Sequence, residues 1–134
     1  MKPYKILVAE DDPALLHSFS IRLGSKGYEV LCASDANQAI ALAGEHQPDL
    51  LILDVHLPAG DGFSVQDRIR KLPNLSRIPT IYVSGDRSQE LLDKTQDLGV
   101  KWLLNKPFNA TELLQIVGQA LEPGESHVDS TVVA

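Results

Sequence analysis

Near its start the chain reads Ile6-Leu7-Val8-Ala9-Glu10-Asp11-Asp12-Pro13, an aliphatic run followed at once by three acids and a proline. The run is short and has no alternating polarity, which is typical of a parallel strand covered on both faces. Pro13 suits the first turn of a helix, and Asp12 is placed to cap that helix. The stretch therefore predicts a strand, a polar turn and a helix.

Four further units of the same kind follow along the chain. Strands are predicted over residues 28–33, 50–53, 80–83 and 101–104, and helical patterns separate them. Ser34 or Asp35 is placed to cap the second helix, and Asn109 with Glu112 forms a capping box for the last one. Five such units predict an α/β fold, a doubly wound parallel sheet.

The predicted domain organisation is one folded unit with a short tail. Residues 1–121 hold all five units. Residues 122–134 contain Pro, Gly and Ser with few large apolar side chains, which predicts a flexible tail or a truncated linker. We recognise no effector domain after the last helix, which favours a single-domain protein. A domain excised from a larger protein would have the same sequence.

Composition excludes several classes of protein. The 134 residues carry 12 basic and 18 acidic side chains, a net charge of −6, without the basic stripe that direct nucleic-acid binding requires. The single cysteine, Cys32, excludes an intrachain disulfide and is expected to be a small buried strand residue. No signal peptide and no apolar stretch near the ~20 residues of a membrane helix are visible, so a cytoplasmic protein without membrane contact is predicted.

Polar side chains stand at the ends of four predicted strands. They are Glu10, Asp11, Asp54, Ser84 and Lys106. Taken alone, an aspartate after a buried strand is usually a cap or a loop residue. Because the carboxyl ends of parallel strands share one sheet edge, however, all five are expected to meet in one crevice. Three carboxylates, a hydroxyl and an amine together predict a phosphoryl-transfer site.

Five stretches of the chain, taken in order, point to a known family. They are the opening stretch, Asp49-Leu50-Leu51-Ile52-Leu53-Asp54, Leu57-Pro58-Ala59-Gly60-Asp61-Gly62-Phe63, Ile78-Pro79-Thr80-Ile81-Tyr82-Val83-Ser84-Gly85 and Leu104-Asn105-Lys106-Pro107-Phe108. With these motifs the chain resembles the receiver domain of two-component response regulators over residues 4–121. The resemblance implies a flavodoxin-like fold with strand order 2-1-3-4-5.

The same resemblance implies a role for each residue of the crevice. Asp54 would be the phosphoacceptor, Ser84 the hydroxyl that binds the transferred group, and Lys106 the cation of the pocket. A carboxylate is a competent nucleophile toward phosphorus when a metal and an amine absorb the charge of the transferring oxygens. The alignment on Pro13 leaves Asp12 outside the pocket, as a neighbour or a cap.

A magnesium site is implied by the acidic residues. Three carboxylates in one pocket repel one another, and a hard divalent cation relieves that repulsion. Mg²⁺ would be held by Asp11, Asp54 and a backbone carbonyl, that of His56. Glu10 completes the metal site and is expected to hold a coordinating water.

The implied function is signalling rather than enzymatic turnover. The protein would accept a phosphoryl group from a sensor histidine kinase or a histidine phosphotransfer protein and act on a downstream protein target. Leu103 stands where the family commonly has an aromatic, and it is the one hint of an alternative, a phosphorylation-independent receiver-like interaction module. A third possibility, an enzyme of the haloacid dehalogenase type, needs a second aspartate two residues after its nucleophile. This chain has His56 at that position, which argues against such an enzyme.

Trp102 and Leu103 are expected to form an apolar surface beside the fourth and fifth helices. An exposed tryptophan beside a leucine is a candidate interface anchor, since aromatic residues are enriched at binding hot spots. The alternative is that Trp102 packs under the loop at Gly99 and Val100 and only adds core area. A monomer or weak homodimer is predicted.

Overall fold

The computed structural model of the protein describes residues 2–122, so all but the first residue of the predicted tail lies outside the described part. Strands and helices alternate along the chain as predicted. In order they are β1 (Lys5–Ala9), α1 (Pro13–Gly24), β2 (Glu29–Ala33), α2 (Ala36–His46), β3 (Leu50–Asp54), α3 (Gly62–Arg70), β4 (Thr80–Ser84), α4 (Gln89–Asp97), β5 (Trp102–Asn105) and α5 (Ala110–Leu121).

The five strands form one parallel sheet in the order β2-β1-β3-β4-β5, which confirms the implied topology. The register sets Ala9 beside Leu53, Asp54 beside Val83, and Ser84 beside Asn105. The carboxyl ends of β1, β3, β4 and β5 therefore lie level along one edge of the sheet. That edge is where ligands bind in open parallel sheets.

Two apolar layers cover the sheet, because successive strand residues point to opposite faces. One layer packs α2, α3 and α4 on side chains such as Leu51, Leu53 and Tyr82. The other packs α1 and α5 on side chains such as Ile52 and Val83. Every residue of β3 and β4 is buried, which accounts for their nearly continuous apolar sequence.

Helix starts are fixed by the caps that the sequence predicts. Asp12 accepts a hydrogen bond from the backbone N–H of Ala14 (3.0 Å) at the start of α1. Asp35, rather than Ser34, caps α2. Asn109 and Glu112 form the expected capping box at α5. Among residues 2–122 no helix has the length and apolar character needed to cross a bilayer.

Two predictions about single residues are wrong. Cys32 is exposed rather than buried, because β2 is an edge strand with a neighbour on only one side. Trp102 and Leu103 do not form one apolar surface. Trp102 is half-buried against the α1–α5 layer, whereas Leu103 packs against the α2–α3–α4 layer, since adjacent residues of β5 face opposite ways.

Candidate functional site

Three carboxylates cluster at the carboxyl edge of the sheet. Glu10 and Asp11 follow β1, Asp54 ends β3, and one ligand oxygen from each lies within 4.8 Å of the other two. Burial divides the group: Glu10 is 1% and Asp54 5% exposed, while Asp11 faces solvent. Because β1 and β3 are neighbours in register, the strands themselves bring these charges together.

Lys106 directly follows the edge strand β5 and reaches across the end of β4 to the cluster. Its Nζ lies 2.7 Å from Asp54 Oδ2 and 3.1 Å from Glu10 Oε1. Its backbone N–H donates to the carbonyl of Ser84 (2.8 Å), which fixes the start of the side chain beside β4. Burial opposes charge on the ammonium, but the contacts with Asp54 and Glu10 outweigh it and hold the pKa of Lys106 above its usual value.

Glu10 lies in an environment that disfavours its charged form, mainly because the side chain is buried and also because it lies beside Asp54. Its Oε2 accepts a hydrogen bond from the backbone N–H of Asp12 (3.0 Å). Its buried Oε1 accepts none from residues 2–122, because Lys106 Nζ is near but poorly aligned. Burial, followed by contact with Asp54, raises the pKa of Glu10 to about 7. A bound cation that prefers oxygen ligands would stabilise the charged form of Glu10.

Asp54 is held at both oxygens and along its backbone. Oδ1 accepts from the backbone N–H of His56 (2.8 Å), and Oδ2 accepts from Lys106. Behind it, α3 begins so close that a Cβ on Gly62 would lie 2.5 Å from the Asp54 carbonyl oxygen. This role of Gly62 was not predicted from the sequence. The available signal was the glycine directly after Asp61, the cap of α3, at a position where no turn requires glycine.

Ser84 lies at the same edge but does not contact the cluster through a hydrogen bond among the described residues. Its side chain is fully buried at the end of β4. The hydroxyl accepts from the backbone N–H of Asp86 (2.8 Å) and donates to the carbonyl of Asp86 (3.3 Å). The structure thus groups four of the five predicted site residues at one place and keeps the fifth, Ser84, hydrogen-bonded to its own loop.

A further pair joins the two loops at this edge. His56 Nε2, after β3, lies 3.5 Å from Asp86 Oδ2, after β4. The backbone N–H of Ser88 and then the Ser88 hydroxyl hold the pKa of Asp86 below its usual value, and His56 adds to this effect. The implied role of the His56 carbonyl as a metal ligand stays a prediction.

The sequence matches the model of the response regulator receiver domain over residues 6–118. The chain belongs to this family. A curated relative, the DNA-binding dual master transcriptional regulator RpaA of Synechocystis, is 39% identical over 112 residues, which cover 82% of this chain and 46% of that protein. The receiver domain described here spans about half the length of the curated relatives it matches.

Solved receiver structures share its fold. The chemotaxis protein CheY4 of Vibrio cholerae superposes with a TM-score of 0.82 at 28% identity, covering 89% of this chain and 99% of that one. The receiver domain of the sensor histidine kinase PA1611 of Pseudomonas aeruginosa gives 0.80 at 30% identity, covering 89% and 98%. That structure holds a magnesium ion in its active-site cleft.

Proposed function

We propose that this receiver domain accepts a phosphoryl group on Asp54 from a sensor histidine kinase or a histidine phosphotransfer protein. The observation that carries the proposal is the Asp54 carboxylate at the end of central strand β3, 2.7 Å from the Lys106 ammonium and clustered with two acids. An ammonium beside a carboxylate can absorb charge from a transferring phosphoryl group. The receiver unit is assigned to residues 1–121 and the tail to residues 122–134.

Mg²⁺ is the cofactor that these ligands fit best. Glu10, Asp11 and Asp54 offer hard oxygen donors within 4.8 Å of one another, and the buried Glu10 Oε1 accepts no hydrogen bond from the described residues. Mg²⁺ prefers oxygen ligands and retains several waters. We assign Asp11, Asp54 and the His56 carbonyl as direct ligands and Glu10 as the holder of a bound water. When bound, the ion supplies positive charge at the oxygens of the incoming phosphoryl group.

The chain's own residues would then perform the transfer as follows. An oxygen lone pair of Asp54 attacks phosphorus, the new O–P bond forms, and the P–N bond to the donor imidazole breaks, with its electron pair returning to nitrogen. The carboxylate loses its charge as the phosphoryl dianion arrives beside it. Lys106 is already in the pocket and can pair with the new charge. The protein is therefore a self-assisting phosphoacceptor and not a turnover enzyme.

Ser84 supplies the link from chemistry to signal. Its hydroxyl must release one or both hydrogen bonds to the Asp86 backbone before it can bond a phosphoryl oxygen. The loop from β4 to α4 would rearrange as a result. The output is then a changed protein surface that binds a downstream protein in the cytoplasm, with the receiver a monomer or weak homodimer.

Intact-mass measurement after incubation with acetyl phosphate and Mg²⁺ tests the proposal. Wild type is expected to gain one phosphoryl group, and Asp54→Ala none. Asp97→Ala, which removes an exposed carboxylate at the end of α4, serves as the matched control and is expected to react like wild type. Equal incorporation into wild type and Asp54→Ala would refute the assignment. No incorporation into wild type would favour the phosphorylation-independent interaction module.

A further inference from the structure

The loop from β4 to α4, residues 85–88, is tied to the loops on both sides of it. Two consecutive side chains make the contacts and reach toward opposite sides. Asp86 Oδ2 lies 3.5 Å from His56 Nε2 in the loop after β3. Arg87 Nη2 donates to the carbonyl of Lys106 in the loop after β5 (3.3 Å). Because β4 lies between β3 and β5 in the sheet, the two contacts join three neighbouring loops along the edge that carries the candidate site.

The same loop occupies the hydroxyl of Ser84. The backbone N–H of Asp86 donates to Ser84 Oγ (2.8 Å), and that hydroxyl donates to the Asp86 carbonyl (3.3 Å). The Asp86 carboxylate is fixed as well, because its Oδ1 accepts from the backbone N–H of Ser88 (2.8 Å). A side chain contacted at both oxygens restricts the backbone that carries it. The contact with His56 therefore helps to keep the Ser84 hydroxyl engaged with the Asp86 backbone.

Arg87 fixes the other side of the loop through the backbone of Lys106. The Lys106 N–H donates to the carbonyl of Ser84 (2.8 Å), and the Lys106 carbonyl accepts from Arg87. Within residues 2–122 Arg87 forms no ion pair with a carboxylate, so its guanidinium is not drawn elsewhere. A hydrogen bond from a charged donor is stronger than one between neutral groups. Arg87 thus holds the loop to the residue that supplies the ammonium of the site.

Both contacts lie near the surface, which sets their strength. The His56 side chain is 69% and that of Asp86 34% exposed, and Arg87 is exposed too. Contacts between exposed polar groups contribute little to the stability of a fold, about 0–1 kcal/mol each. A contact of that size still shifts the balance between two arrangements of a loop by a few fold. The two ties therefore suit control of the loop better than stabilisation of the domain.

We propose that Asp86 and Arg87 are positioning residues that hold this loop in its resting arrangement and so oppose release of the Ser84 hydroxyl. The inference rests on the proposed function, in which that hydroxyl bonds a phosphoryl oxygen on Asp54. The backbone N–H of His56 already bonds the Asp54 carboxylate (2.8 Å). A phosphoryl dianion there adds negative charge beside His56, which disfavours the Asp86 carboxylate at its resting position. Before phosphorylation the two ties keep the population of the signalling arrangement low.

A charge-neutral double variant tests the ties together. Asp86→Asn/Arg87→Gln removes one charge of each sign and keeps an oxygen for the Ser88 N–H. The full-length protein is titrated with beryllofluoride at saturating Mg²⁺ by calorimetry. The variant is expected to bind about three- to tenfold more tightly than wild type, because the mimic no longer displaces two resting contacts. Asp97→Asn/Arg77→Gln removes the same charges at exposed positions elsewhere and should stay within about twofold of wild type.

Arg87→Gln alone separates a positioning role from a simple charge effect. Loss of a cation weakens the attraction for an anion, whereas loss of the tie strengthens binding of the mimic. In about 1 M KCl, where charges are screened within about 3 Å, the tie should dominate, and beryllofluoride should bind about two- to fivefold more tightly. Hydrogen exchange of the Asp86 amide, measured by NMR without the mimic, should be faster in the double variant, because that N–H leaves the Ser84 hydroxyl more often.

Failure of this inference can be told apart from failure of the proposed function. Wild type that binds beryllofluoride while the double variant binds it equally or more weakly would overturn the inference alone. Unchanged exchange of the Asp86 amide, or equal tightening in the control double variant, would do the same. Wild type that fails to bind beryllofluoride would overturn both. Thermal unfolding of each variant shows whether it is folded under the assay conditions.

Discussion

Asp11 and Asp12 are neighbours of the same chemical type with different positions in the structure. Asp11 contributes an oxygen to the carboxylate cluster. Asp12 turns away, caps α1 through its Oδ1 and donates its backbone N–H to Glu10. Two adjacent aspartates therefore have different roles: the Asp11 carboxylate is assigned to metal binding, and the Asp12 carboxylate stabilises the start of α1.

Substitutions at these two positions should have opposite effects. Asp11→Ala is expected to abolish calorimetric Mg²⁺ binding while changing the free energy of unfolding by less than about 0.5 kcal/mol. Asp12→Ala should keep Mg²⁺ binding and lower that free energy by about 1 kcal/mol, the usual cost of losing a cap. Loss of Mg²⁺ binding in Asp12→Ala alone would mean that the assigned acidic pair is shifted by one residue.

Glu10 gives the stability of the metal-free protein a pH dependence. Its folded-state pKa, about 7, lies above the usual 4.5, so the folded protein holds a proton that the unfolded chain has lost between these values. The unfolded state binds fewer protons there, and the free energy of unfolding therefore falls through this group as pH rises from about 4.5 to 7.

Glu10→Gln removes that penalty. In EDTA the variant is expected to melt a few degrees above wild type at pH 8 and close to wild type at pH 5. Glu29→Gln, at an exposed position on β2, is the control and should show no such difference. A Glu10→Gln variant that melts below wild type at pH 8 would show that the ion pair with Lys106 outweighs the repulsion.

At the scale of the elements, the start of α3 positions the candidate phosphoacceptor. Gly62 donates its N–H to the carbonyl of Val55 (2.9 Å), and its missing side chain allows the helix to approach the backbone of Asp54. The loop from β3 to α3 is thus fixed at both ends, which holds the Asp54 carboxylate at the sheet edge.

Gly62→Ala should damage both the fold and the site. A Cβ 2.5 Å from the Asp54 carbonyl oxygen forces the backbone to move, at a cost of about 1–3 kcal/mol. Gly118→Ala, in α5, meets no atom within 4 Å and should instead stabilise the protein by about 0.5–1 kcal/mol. Denaturant unfolding and Mg²⁺ titration of both variants measure the contrast, and unchanged values for Gly62→Ala would contradict it.

The elements were predictable because each is encoded by adjacent residues. Buried strands appear as short aliphatic runs, and caps such as Asp12 and Asn109 lie next to the helices that they start. The approach of Gly62 to Asp54 and the exposure of Cys32 were not predictable in the same way. Both depend on which elements pack together, and local patterns carry little information about that.

At the scale of the whole molecule, the two apolar layers separate side chains that are adjacent in the sequence. Trp102 belongs to the α1–α5 layer and Leu103 to the opposite one. The grouping of Glu10, Asp54 and Lys106 was predictable because strand topology alone brings them to one edge. The hydrogen bonds between the Ser84 hydroxyl and the Asp86 backbone were not predictable, since they depend on how the loop after β4 folds.

Trp102 is accordingly expected to act in the core and not as an interface anchor. Trp102→Ala should lower the free energy of unfolding by about 2–3 kcal/mol, somewhat less than for a fully buried aromatic. Its sedimentation coefficient should equal that of wild type, with and without beryllofluoride. Leu98→Ala, at an exposed position, is the control for stability. A beryllofluoride-dependent dimer that Trp102→Ala abolishes without loss of stability would restore the interface role.

The two contacts of Lys106 have a consequence for ion uptake. Its ammonium sits 2.7 Å and 3.1 Å from oxygens of two carboxylates that are also assigned to the metal. The Lys106 ammonium would therefore compete with a metal ion for these oxygens. Because it belongs to the same chain, dilution of the protein does not lower its local concentration. Binding of a metal by these carboxylates would then redistribute the contacts of the Lys106 ammonium within the pocket rather than fill a vacant site.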